Sequence, residues 1–116
     1  MRSHEVRVES GQLVCPNCGE TYLHSQEVFV FNDARGTNKV AVTAVKTDNE
    51  TVQSISPPEL SGNPSRDRQG IKIAFTCEHC HDFDDSSGPD SRYYLNMAQH
   101  KGVTFMFWDN QYGYDT

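Results

Sequence analysis

Apolar and polar residues alternate along most of this chain, and a two-residue period predicts strands. Val6 and Val8 sit between charges within residues 1–12, which reads as a short lead-in edge strand. Val28-Phe29-Val30-Phe31 is a β-branched and aromatic run. After a loop over 32–38, Val40, Val42 and Ala44 alternate with Ala41 and Thr43, and Asp48-Asn49 marks a turn before Thr51 to Ile55. Two linked hairpins, a meander, account for 27–55. Residues 56–70, rich in Pro, Gly and Ser, form a long loop of the kind that is functional or loose. Ile71 to Thr76 is a further strand, and 82–91 is an acidic, solvated loop. Over 92–99 a strand is preferred to a short helix, with Tyr93, Leu95 and Met97 on one side and Tyr94, Asn96 and Ala98 on the other. His100-Lys101-Gly102 then turns the chain into Val103 to Trp108, and 109–116 is an acidic, tyrosine-bearing tail. No long stretch carries a 3.6-residue period. The expected fold is mostly β, in one domain over 1–116.

The four cysteines fall into two pairs, Cys15-Pro16-Asn17-Cys18-Gly19 and Cys77-Glu78-His79-Cys80. A two-residue gap lets both sulfurs of a pair face one tetrahedral ion, and four thiolates at about 2.3 Å fill a zinc site with no open position. Cys15, Cys18, Cys77 and Cys80 are therefore the expected ligands of one structural zinc, with iron in the same sulfur cage as the alternative. Positive φ at Gly19 lets the backbone curl so that its N–H groups point at the thiolates. A thioredoxin-type dithiol is disfavoured, because strand-like sequence follows Cys18 where a helix within a βαβ unit is needed. His79, His81 and His24 lie near the pairs but are expected outside the site. The resulting architecture is a zinc-ribbon-like domain, with two CxxC knuckles closing over one ion and the β-meander inserted between them.

Composition changes this picture in two ways. Hydrophobic residues make up only 35% of the chain, so the apolar core is thin. A structural zinc supplies roughly 10–16 kcal/mol of apparent binding free energy against a typical stability of about 5–15 kcal/mol, so the ion decides whether the chain folds. A net charge of -6 and a pI near 5.2 exclude a general nucleic-acid coat, which needs a basic face. Met1 to Gly11 is polar throughout, unlike a secretory leader, and no run approaches the ~18 apolar residues of a membrane span. A reducing cytoplasm is the expected location, where cysteine pairs bind metal more often than they cross-link.

No GxSxG elbow, P-loop or HExxH is present. Cys77-Glu78-His79-Cys80-His81 resembles the zinc-knuckle end of HNH nucleases, but no histidine lies between His24 and His79 to serve as their base. The expectation is a protein that is not an enzyme. Two polar motifs remain as candidate binding words. Arg66 and Arg68 can present guanidinium forks from Asn63-Pro64-Ser65-Arg66-Asp67-Arg68-Gln69-Gly70, and His100 and Lys101 sit on the Gln99-His100-Lys101-Gly102 turn. A protein partner is the first expectation. A nucleic acid held by Arg66, Arg68, Lys72, His100 and Lys101 is the alternative.

Cys15-Pro16-Asn17-Cys18-Gly19, Leu23-His24, Asn63-Pro64-Ser65 with Arg68 and Gly70, Cys77-Glu78-His79-Cys80, Gln99-His100-Lys101-Gly102 with Thr104, and Trp108 follow one another along the chain. In this order the chain resembles a group of small zinc-ribbon proteins of unknown function encoded by actinobacterial phages and their hosts. That resemblance implies a zinc-bearing β domain and brings no established activity.

Overall fold

In a computed structural model of the chain, residues 5–34, 39–46, 50–57, 61–65, 69–78 and 92–109 are described, Asp33 and Ala34 by their backbone alone. They form eight strands: β1 (Val8–Glu9), β2 (Gln12–Leu13), β3 (Leu23–Ala34), β4 (Lys39–Lys46), β5 (Thr51–Ser56), β6 (Gly70–Cys77), β7 (Tyr93–His100) and β8 (Val103–Asp109). β1 and β2 make a small hairpin, and the other six form one antiparallel sheet in the order β5-β4-β3-β6-β7-β8. The molecule is mostly β, as its alternation predicts. The expectations at 82–91 and 48–49, and the tail expectation at 109–116 beyond its first residue, lie outside the described residues. Asp109 instead closes β8 and is buried, and residues 32–34 of the expected 32–38 loop continue β3.

Antiparallel partners share a face, so the register sorts the side chains into two sets. One face carries Phe29 and Phe31 of β3, Val40 and Val42 of β4, Lys72 and Ala74 of β6, and Tyr94, Asn96 and Ala98 of β7. Residues 61–65 pack on this loop face, with Ser61, Asn63 and Ser65 buried. The Gln99 N–H donates to Ser65 Oγ at 2.8 Å, and the Ser65 N–H donates to Asn63 Oδ1 at 2.9 Å. A Cβ on Gly70 would collide with Asn63 Oδ1 and crowd Ser65 Oγ, so only glycine lets this loop close on β6. The expected long loop is thus, over 61–65, a packed cover.

The opposite face carries Leu23, Phe75, Cys77, Tyr93, Leu95 and Trp108 at one end. There the segment before β3 folds across the sheet, and Val6, Leu13, Cys15 and Cys18 pack against the Cys77, Tyr93, Leu95 and Trp108 cluster. Phe75 meets the edge of Trp108 with ring centroids 5.7 Å apart. Trp108 is fully buried, and an aromatic side chain of this kind contributes roughly 1.5–3 kcal/mol by leaving water. This thiol face depends on a β-bulge. Ser25 pairs with Phe75 but Glu27 pairs with Ala74, so Gln26 is one residue extra. The extra residue reverses the alternation of β3 and sends Leu23 to the thiol face while Phe29 and Phe31 stay on the loop face. Among the described residues no helix is long and apolar enough to cross a membrane.

Candidate metal centre

The first cysteine pair sits in a tight turn between β2 and β3. The Gly19 N–H donates to the Cys15 carbonyl at 3.1 Å, and the Cys15 N–H donates to the Glu20 carbonyl at 2.7 Å. Gly19 takes φ 82°, where a side chain is strained. This curl turns the Asn17 N–H onto Cys15 Sγ at 3.4 Å, a contact that favours the thiolate. Cys77 closes β6, where it pairs with Leu23, and the Glu78 N–H donates to the Tyr22 carbonyl at 3.0 Å. The β3–β6 ladder therefore delivers Cys77 beside the turn that precedes β3. Sheet register brings the two halves of the site together.

Cys15, Cys18 and Cys77 have their sulfurs within 4.8 Å of one another, and Cys18 and Cys77, 59 residues apart in sequence, bring theirs to 3.6 Å. A bonded disulfide needs about 2.05 Å, so Cys18 and Cys77 are not cross-linked to each other. The edge of a tetrahedron of sulfurs at about 2.3 Å from zinc is about 3.8 Å, close to the observed spacing. Cys15 and Cys77 are buried and Cys18 is half-buried, against a wall of Tyr93, Leu95 and Trp108. Three thiolates at this spacing repel one another, and a bound cation removes that penalty. The cluster can bind a metal ion, whose identity its geometry leaves open. Cys80, His79 and His81 lie outside the described residues. His24 is not one of the clustered ligands. It is exposed and bonds through Nε2 to Glu78 Oε2 at 2.5 Å.

The other candidate residues fall differently. His100 and Lys101 are exposed on the β7–β8 turn, where Lys101 and Gly102 both have positive φ. Arg66 and Arg68 lie outside the described residues. Lys72 corrects the sequence-based expectation: it is 1% exposed and cannot reach a nucleic acid. Its ammonium lies 3.6 Å from Asp109 Oδ2 and 5.2 Å from the centre of the Tyr94 ring, and Asn96 Nδ2 donates to the same carboxylate oxygen at 3.0 Å. Burial pushes the Lys72 ammonium below its ordinary value, and the charge of and hydrogen bond to Asp109 partly restore it. The alternation Ile71-Lys72-Ile73 reads as apolar in and polar out. β6 lies inside the sheet and its loop face is packed, so the lysine faces a second core. A hint lay in Asn96, a polar residue likewise placed within an apolar run.

Beside the β7–β8 turn, an apolar groove of about 380 Å³ is lined by Pro64, Ser65, Ala98, His100, Phe105 and Phe107. Phe105 remains 48% exposed there, whereas Tyr93, Tyr94 and Trp108 are core. Comparison with protein-family models, with curated proteins and with solved structures returns no match, so the reading of the site rests on its own chemistry.

Proposed function

We propose that this protein is a zinc-stabilised, non-enzymatic interaction module of ribbon-like build, of the kind the phage-encoded ribbons imply, acting in the cytoplasm on a protein partner. Cys80 completes the ligand set with Cys15, Cys18 and Cys77, and the antiparallel strands β3, β4 and β5 are the meander inserted between the two knuckles. The observation that carries this reading is the convergence of three cysteine sulfurs from distant parts of the chain. A closed sulfur site has no position for a reacting water, so the ion acts on the fold. The groove beside Phe105 supports a protein partner, since a half-exposed aromatic over an apolar hollow is the type of anchor that interfaces use. Affinity capture tests this. A partner retained by the wild type and lost by Phe105→Ala, with metal content unchanged, is the expected outcome. Equal retention by the variant contradicts the assignment of the groove.

The exposure of His100 and Lys101 favours a second reading, a nucleic-acid contact made by these two with Arg66 and Arg68 and without Lys72. Phosphate contacts give affinity that falls steeply with salt. Absence of binding to single- and double-stranded nucleic acid at low salt removes this reading.

A further inference from the structure

Beyond the part covered by the segment before β3, the thiol face continues across the sheet as an apolar surface. Val28, Val30, Ile71, Ile73 and Met97 are half-buried there, and Met106, the partner of Met97 in the β7–β8 register, is 48% exposed. On the loop face, by contrast, the equivalent positions Phe31, Val40, Lys72, Ala74 and Asn96 are 0–1% exposed. Val45 on β4 and Ile55 on β5 extend the surface toward the other edge at 40% and 61% exposure. The remaining members are threonine, asparagine, glutamine and alanine. Among the described strand residues the one ammonium, guanidinium or carboxylate side chain on this face is Lys39, at its far corner.

We infer that this face packs against the same face of a second copy, making a two-sheet sandwich across a two-fold axis. Charge selects the partner. Two chains of net charge -6 repel wherever their carboxylates meet, and the described strand residues of this face include none. A self-complementary apolar sheet satisfies the geometry of an isologous pair, with sheets about 10 Å apart and strands crossing at about 30°. Six strands at about 4.8 Å spacing and about five residues at 3.3 Å give a projected footprint of roughly 400 Å² per copy. Corrugation raises the accessible area, so the pair lies near the lower bound of roughly 1,200 Å² for a specific interface. The dimer is therefore concentration-dependent. It uses the opposite face from the groove at Phe105 and stands independently of the proposed partner.

Sedimentation equilibrium of metal-loaded protein from micromolar to millimolar concentration tests the inference. The expected result is a rise from 13.1 kDa toward twice that mass. Ile73→Glu, and Met106→Glu at a position already half exposed, should hold the mass at the monomer value while metal content and far-ultraviolet dichroism stay unchanged. Phe105→Glu, on the loop face, should leave the dimer intact. A monomer at every concentration overturns the inference. So does a dimer that survives the folded Met106→Glu variant, or one that Phe105→Glu abolishes.

Discussion

Lys72 is the residue whose environment departs furthest from its chemistry. A buried ion pair is weak in net terms, but removing one partner strands the other charge at a cost of about 3–5 kcal/mol. Asp109→Leu should therefore lower the denaturation free energy by about that amount, and Lys72→Met with Asp109→Leu should recover most of it. Urea unfolding of the single and double variants checks both. The pH dependence follows from the lowered lysine. Between that lowered value and 10.5 the unfolded chain holds the proton that the folded chain has released. The unfolded state thus binds more protons, and the Lys72 contribution to stability rises with pH across that window. Comparing alkaline unfolding midpoints of the wild type and Lys72→Met isolates this rise, which the variant should lack. Gly70→Ala is the second test at this scale. Its Cβ meets the Asn63 amide in a closed loop, and overpacking of this kind costs about 1–3 kcal/mol. That a glycine closes the polar stretch begun by Asn63-Pro64-Ser65 is visible in the sequence. Its cause, the loop lying directly on β6, is not.

At the scale of elements, the alternating apolar pattern locates the long strands well. Val40, Val42 and Ala44 fall on one face, and Tyr93, Leu95 and Met97 fall opposite Tyr94, Asn96 and Ala98. Two features escape the pattern. A period of two cannot tell an inner strand from an edge strand, and so Lys72 reads as solvent-facing although β6 is flanked by β3 and β7. The bulge at Gln26 is equally hidden, because one inserted residue leaves the composition of β3 unchanged. Deleting Gln26 tests its role directly. Because Gln26 is the residue left over in the register, its deletion should give a regular ladder that keeps Leu23 opposite Cys77, with metal affinity held within roughly tenfold and the far-ultraviolet strand signal unchanged. Metal competition titration against a chromophoric chelator reads this out. A much larger loss of affinity would mean that the bulge itself, and not only the β3–β6 register, positions the site.

Across the whole molecule, the sheet is held by local hairpins except where β3 meets β6, and that ladder brings the distant thiols into register. The pairing of Cys15-Cys18 with Cys77 was legible from spacing alone, because ligand geometry dictates the two-residue gap. The apolar wall of Tyr93, Leu95 and Trp108 behind it was not, since burial depends on which strands become neighbours. With hydrophobic residues at 35% of the chain and a metal worth roughly 10–16 kcal/mol, chelation should unfold the protein and readdition of zinc should restore it. The most direct test is metal content per chain, measured on protein purified without chelator, for the wild type and Cys77→Ser. The account predicts one tightly held ion in the wild type and none in the variant. A wild-type protein that is folded and free of tightly bound metal would contradict it.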